Sequence, residues 1–387
     1  MIPWRQRLSS RTNKTFTNLS LRRVARSMSA SRRTLDRLGV DRDLVAKLES
    51  RGCRTAEDAL NRSPLDVVEL ADCSHARARR FLTAVARSVA PKPITAFDAL
   101  KRSKWLRTTL PELDDALGGG LSVGGVTEVV GAAGAGKTQL CLSACASAAA
   151  PISANGSDGG VVYVDAERKF SSTRLAEIAR GKFGSDFASD EAVNELARRV
   201  QVVTPTSLTD LAKRLEALEE AIIDHKVRLV IIDSIAHLAR GEFGGREKVV
   251  QRQSVLGAVA STLKRHAEKH ELAVLAVNQV TTRLGSAVKH AANGEDGGFV
   301  EDDGGGGDSE STGITAALGT KWAHCVNTRL VLDVADSGER TMKIVKSPIC
   351  ALTAFRYYVD GHGLNISEKL DSSAMRESEA NVHARVR

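Results

Sequence analysis

A chain of 387 residues, 42% hydrophobic and 26% charged, is long enough for about two globular domains and too apolar to be disordered throughout. Its net charge of +8 sits at one end: residues 1–35 hold nine Lys/Arg and no Asp/Glu, and the remainder carries −1. That near-neutral body excludes a broad basic surface for tight, salt-sensitive binding of nucleic-acid phosphates, so any such contact is local or shared with partners.

Residues 1–34 read as a basic leader outside the fold. Within it, residues 1–27 are rich in Arg, Ser and Thr and free of acid, which fits either an organellar transit peptide or a dispensable leader upstream of a second start at Met28. From 35 to 90 the pattern changes to short helical segments: Leu44 to Leu48, Thr55 to Leu60, Pro64 to Leu70, and His75 to Val89. Each is too short to stand alone, so together they predict a small all-α domain. Asp72-Cys73-Ser74-His75-Ala76-Arg77 falls where a helix-hairpin-helix turn would lie, with Asp72 at the place usually taken by Gly, which favours packing over DNA binding.

Pro91 and Pro93 open a linker, 91–105, of mixed charge and weak periodicity. The second domain, 106–366, alternates apolar strand-like runs with helical stretches and so reads as α/β. The tail, 367–387, is polar. Within the second domain, the uncharged run Thr138 to Ser157 has the length of a membrane span but is mostly Ala and Ser and contains Pro151, so no transmembrane helix is expected. Six cysteines form no CxxC pair and no His/Cys cluster at metal-ligand spacing, and they read as reduced thiols of an intracellular protein.

Gly131-Ala132-Ala133-Gly134-Ala135-Gly136-Lys137-Thr138 fits GxxxxGK[ST], follows the apolar run Val126 to Val130, and precedes an Ala-rich helical segment. Strand, glycine loop, Lys-Thr and helix together predict a P-loop. Backbone amides would cradle the β-phosphate of ATP, Lys137 would neutralise β and γ oxygens, and Thr138 would ligate Mg²⁺. A second metal-side carboxylate is expected at the end of a buried strand, and Leu229-Val230-Ile231-Ile232-Asp233 supplies it. Because Ser234 follows Asp233, the hydrolytic base must come from elsewhere. The strand Val161 to Asp165 leads into Ala166-Glu167, and Glu167 is the candidate for polarising the attacking water. A third strand, Leu272 to Val277, ends in Asn278-Gln279, whose amides fall at the same sheet edge.

These residues resemble the RecA superfamily, and within it the eukaryotic recombinase paralogues of the B type. The likeness spans roughly 28–366. It rests on Thr108-Thr109-Leu110-Pro111-Glu112-Leu113-Asp114, Gly136-Lys137-Thr138-Gln139, Val164-Asp165-Ala166-Glu167, Arg174-Leu175, Asp233-Ser234, Asn278-Gln279, Trp322-Ala323-His324, Asn327-Thr328-Arg329-Leu330 and Lys346-Ser347-Pro348. The resemblance implies a RecA-like core with a mainly parallel twisted sheet flanked by helices. It assigns Glu167 to water activation, Arg174 to stacking on adenine, Gln139 to the nucleotide, and Gln279 and His324 to sensing the γ-phosphate. Read without it, Arg174 is a solvated helix residue and His324 a satisfied strand histidine.

Two loops are implied to face DNA, single-stranded or branched. In 240–247, Arg240 and Arg246 flank a Gly-rich turn, offset by Glu242 and Glu247. In 281–314, Arg283 and Lys289 precede an acidic, Gly-rich stretch with seven Asp/Glu and no Lys/Arg between 294 and 311, which repels phosphate within a Debye length of ~8 Å. Lys346 stands where strand-exchange members carry an acid, so a cation there would reach the γ-phosphate of a neighbouring subunit. Phe97-Asp98-Ala99-Leu100 matches the polymerising Phe-x-x-Ala plug only loosely. The expected function is therefore a slow, DNA-stimulated ATPase subunit of a nuclear recombinase-paralogue hetero-oligomer, with a C-type paralogue as neighbour, that assists the strand-exchange filament in homologous recombination. The alternatives are a self-sufficient recombinase, or a scaffold in which ATP is structural.

Overall fold

A computed structural model describes residues 33–90, 93–242, 249–279 and 318–371. The chain divides after Ser103 into two compact units.

In the first unit, helices α1 (Arg42–Ser50), α2 (Ala56–Leu60), α3 (Pro64–Ala71) and α4 (His75–Val89) close over Leu35, Leu44, Leu48, Phe81 and Val85. None is long enough to be stable alone, and the sequence compensates with caps. Thr55 with Asp58 and Ser63 with Asp66 form capping boxes, and Ser74 caps α4. Asp72 ends α3 in the left-handed region at φ 45°, so a non-glycine residue does occupy the position where the hairpin needs a permissive backbone. Arg77 is held bidentately by Asp41 at 2.9 Å and by Asp43 at 3.1 Å, which ties α4 to the start of α1. The stretch expected as an irregular linker contains a further helix, α5 (Ala96–Arg102), capped by Thr95.

The second unit is built on a nine-stranded sheet in the order β11-β10-β9-β8-β3-β7-β6-β4-β5. Its strands are β3 (Val126–Gly131), β4 (Gly160–Asp165), β5 (Val200–Val203), β6 (Val227–Asp233), β7 (Ala273–Gln279), β8 (Thr328–Val334), β9 (Arg340–Lys346), β10 (Thr353–Asp360) and β11 (Gly363–Leu370). The six from β8 to β5 run parallel, and β9, β10 and β11 continue as an antiparallel meander. A separate short pair, β1 (Trp105–Leu106) and β2 (Leu121–Ser122), flanks it, and the helices of this unit include α6 (Pro111–Ala116), α9 (Asp190–Arg198) and α11 (Glu219–Asp224).

Buried parallel strands need apolar residues on both faces, and these have them. Val161 and Tyr163 of β4, Leu229 and Ile231 of β6, and Leu275 and Val277 of β7 enter one core. Val162, Val164, Val230, Ile232, Val274 and Ala276 enter the other. The first part of the Ala-rich run forms α7 (Lys137–Ala149), which stops before Pro151 and lies buried in the first core with Cys141, Ala144, Cys145 and Ala148. Among the described residues no helix is long and apolar enough to cross a membrane.

The second core is covered in part by α10 (Leu208–Glu216) and α13 (Val249–His270). Where they meet, His266 is 3% exposed, its Nε2 lies 2.8 Å from the Leu215 carbonyl, and its Nδ1 is buried without a partner. Burial holds this imidazole below its ordinary value, against the pull of the Leu215 carbonyl. A depressed value means that below about pH 6.5 the unfolded chain takes the proton more readily, so stability present above that pH is lost as it falls. Denaturation midpoints should therefore drop between about pH 7.5 and about pH 5.5, and His266→Gln should shrink that drop.

Candidate nucleotide site

The P-loop joins β3 to α7 at the carboxyl edge of the parallel strands, where ligands of open α/β sheets bind. Gly131 faces the neighbouring strand so closely that a Cβ would stand 2.5 Å from the Leu332 carbonyl oxygen, and Gly136 starts α7 at φ 94°. Ala132, Ala133 and Gly134 are exposed, whereas Ala135 is buried. Arg340 donates to the Gly134 carbonyl at 2.9 Å, and the buried Tyr357 hydroxyl donates to that of Ala135, so β9 and β10 brace the loop from outside.

Lys137 is 8% exposed, and its Nζ donates to the carbonyls of Gly131 at 2.8 Å and Ala132 at 2.7 Å. Burial pulls its pKa down, while Asp233 and Glu167 pull it up. Thr138 Oγ1 donates to Asp233 Oδ2 at 2.7 Å, and the Tyr163 hydroxyl donates to the same oxygen at 3.0 Å. Burial raises the Asp233 carboxyl above its usual range against these two bonds.

A hydroxyl beside a carboxylate at the end of the P-loop is an oxygen donor pair suited to Mg²⁺, which takes one or two protein ligands and completes its shell with water and phosphate. A glycine cradle where a side chain would collide, a buried ammonium and this pair fit Mg²⁺-ATP. Thr138 and Asp233 would hold the metal; Gly131 to Thr138 and Lys137 would hold the phosphates.

Glu167 lies in the turn after β4, two strands away from β7, yet the sheet order gathers partners for it from the ends of β6 and β7. Ser234 Oγ donates to Oε1 at 2.7 Å, Gln279 Nε2 donates to the same oxygen at 2.5 Å, and Lys169 Nζ donates to Oε2 at 2.6 Å. Burial pushes this carboxyl up, but the bonds from Lys169 and Ser234 outweigh it and leave Glu167 below its ordinary value. Gln279 pairs in register with Gly131, which puts it beside the P-loop, and its Oε1 accepts from Arg240.

Arg240 differs from its expected setting. It lies in helix α12 (Ile235–Glu242), not in a loop, because Glu242 is anchored by Thr209 at 2.9 Å and the helix continues through Gly241. Its guanidinium is engaged by Gln279 rather than presented on a flexible turn. Arg246, Arg283, Lys289 and the acidic stretch lie outside the described residues.

Arg174, on α8 (Ser172–Phe183), reaches Gln139 at 2.8 Å, Glu177 at 2.8 Å and the Gly361 carbonyl at 2.9 Å, and it also donates to the Asp360 carbonyl. It thereby ties the start of α7 to the β10–β11 turn. His324 and Lys346 do not join the cluster. His324 is exposed on α14 (Gly319–Cys325), before β8 begins, and Lys346 donates to the Ala323 carbonyl at 2.8 Å. Lys346 pairs with Arg329 at the start of β8, whereas Gly131 pairs with Leu332, three residues or about 10 Å further along the strand. Both residues therefore sit toward the sheet edge opposite their own P-loop.

Sequence reasoning missed Tyr163, Lys169, Arg340 and Tyr357. The last two carry no local signal, since they meet the loop from 206 and 222 residues away.

A profile of the Rad51 family matches residues 101–367, and one described as the XRCC3/RpoA-like helix-hairpin-helix domain matches 35–89. The chain is 37% identical over 346 residues to the mouse (Mus musculus) DNA repair protein RAD51 homolog 2, covering 86% of this chain and 97% of the relative. It is 36% identical to the human (Homo sapiens) protein of that name, covering 86% and 89%, and 32% identical to that of Arabidopsis thaliana, covering 87% and 91%. With a parallel sheet that carries a P-loop on β3, a helical hairpin module ahead of it and both profiles matched, the chain belongs to the Rad51 family.

Proposed function

We propose that this chain is an ATP-binding, slow, DNA-stimulated ATPase subunit of a nuclear recombinase-paralogue assembly that assists the strand-exchange filament in homologous recombination. The observation that carries the ATPase reading is the convergence of Glu167, Ser234 and Gln279 beside the P-loop. Glu167 takes a proton from the attacking water, Gln279 and Ser234 orient that carboxylate, and Lys137 neutralises charge on the terminal phosphate. Arg174 borders the base of the nucleotide and Gln139 its phosphates.

Assembly is favoured by the placement of His324 and Lys346, which lie out of reach of the γ-phosphate of their own subunit and serve the nucleotide of a neighbour. Phe97 and Leu100, 63% and 68% exposed on α5, offer that neighbour an apolar anchor. The names of the relatives as DNA repair proteins support the biological setting. In this reading the partners are other paralogues, a C-type one adjacent, together with the recombinase filament and single-stranded or branched DNA.

The test is a pull-down of the tagged full-length chain with and without Mg²⁺-ATP. Nucleotide should increase recovery of the partner subunits. Lys137→Ala should weaken nucleotide binding about 100-fold by calorimetry, the factor that corresponds to ~2.7 kcal/mol of charge-assisted contact, and should abolish the increase. A purified chain that forms long filaments on DNA and exchanges strands unaided would favour the self-sufficient reading instead.

A further inference from the structure

The turn between β4 and α8 presents a cation to the carboxylate it carries, and its geometry is fixed by the backbone. Asp165 accepts from the amides of Lys169 at 3.0 Å and Phe170 at 2.8 Å, and Ala166 N donates to the Asp233 carbonyl at 2.8 Å. Arg168, between them, is left-handed at φ 56°, a conformation that costs a non-glycine residue about 1 kcal/mol or more and needs the surrounding bonds to hold it. Phe170 then packs edge-on to Tyr163, with ring centroids 4.9 Å apart, and anchors the far end of the turn. The result is that Lys169 folds back two residues onto Glu167.

Glu167 therefore has an inner and an outer oxygen. The inner one, Oε1, takes two neutral donors, Ser234 just after β6 and Gln279 at the end of β7. The outer one, Oε2, takes the ammonium of Lys169. Neutral donors orient a carboxylate, whereas a full positive charge at 2.6 Å also lowers its affinity for a proton. A general base must accept a proton from water, so this pairing works against its task. Exposure is lopsided: the Glu167 side chain is 12% exposed and that of Lys169 67%. An ion pair with one partner in solvent breaks at little cost, and the carboxylate stays oriented by Ser234 and Gln279 when it does.

We propose that Lys169 is a restraining residue: its ammonium occupies the outer oxygen of Glu167 and slows hydrolysis, and turnover proceeds when that side chain swings into solvent. This rests on the reading of Glu167 as the base. The Lys169 pKa, raised by its bond to Glu167, agrees with a pair that is charged on both sides at neutral pH.

The experiment measures steady-state phosphate release and nucleotide affinity for the full chain and for Lys169→Met, Lys169→Arg, Glu167→Gln and the double variant Glu167→Gln/Lys169→Met. Lys169→Met should raise kcat about two- to fivefold, the range set by an exposed ion pair, with KM for ATP and nucleotide affinity unchanged. Lys169→Arg should restore the slow rate. Loss of a merely structural contact would not raise kcat alone. Unchanged or lower kcat in Lys169→Met, while Glu167→Gln abolishes turnover, overturns the restraint and leaves the base in place. Full turnover in Glu167→Gln or in the double variant overturns both.

Discussion

Glu167→Gln should lower ATP turnover about 100-fold or more while nucleotide affinity stays within about twofold of the parent, because positioned general bases contribute roughly that factor and the change removes the basicity and the exposed ion pair with Lys169 but no contact assigned to the nucleotide. The amide has the same shape, and its carbonyl oxygen can still accept from Ser234 and Gln279, so the cluster beside the P-loop stays assembled. Lys137, Thr138 and Asp233, which hold phosphate and metal in the proposed site, do not touch Glu167 and keep their own contacts. Calorimetry with Mg²⁺-ATP and a phosphate-release assay separate the two quantities. Equal loss of binding and turnover would mean that the side chain holds the nucleotide rather than activating water. Retained turnover would mean that another group activates water, whereas lost turnover with unchanged repair would leave the scaffold reading, in which ATP is structural.

Arg329→Ala should cost about 3–5 kcal/mol of stability, the penalty for leaving a buried charge without its partner. Glu128 lies in the middle of β3, fully buried, and its carboxylate accepts from Arg329 Nε at 2.6 Å, from Asn278 Nδ2 at 2.9 Å and from Trp322 Nε1 at 2.9 Å. One carboxylate thus joins the P-loop strand to β7, β8 and α14. Removing the guanidinium leaves that buried charge with two neutral donors and no counter-charge. The double variant Glu128→Gln/Arg329→Met should regain most of the loss, since both charges go and the amide still accepts from Asn278 and Trp322. Urea denaturation followed by circular dichroism, read at the transition of the larger unit, measures both. A single variant as stable as the parent would show that water reaches Glu128.

Much of the site was legible because its signals are local. The P-loop lies within eight consecutive residues, and Asp233 and Glu167 each follow a strand whose apolar run is visible. Thr138 and Asp233, expected on either side of a metal, stand next to each other, with Thr138 Oγ1 donating to Asp233 Oδ2 at 2.7 Å. Within the apolar run from 126 to 130, Glu128 gives no local signal, because a lone acid there carries no sign of the three donors 150 to 201 residues away. Arg240 departs from its expected turn for the opposite reason. A Gly-rich stretch suggests a turn, but Thr209, from another element, anchors Glu242 and carries the helix past Gly241.

By itself, then, the order of residues determined the fold class, the P-loop between β3 and α7, the acid that ends β6 and the carboxylate after β4, since each depends on spacing along the chain and on backbone chemistry close at hand. Only the tertiary structure decided which charges are engaged and which edge of the sheet each residue faces. Sheet order and strand register set those distances, and they turned Lys169 toward Glu167, Arg240 toward Gln279, and Lys346 with His324 away from their own P-loop.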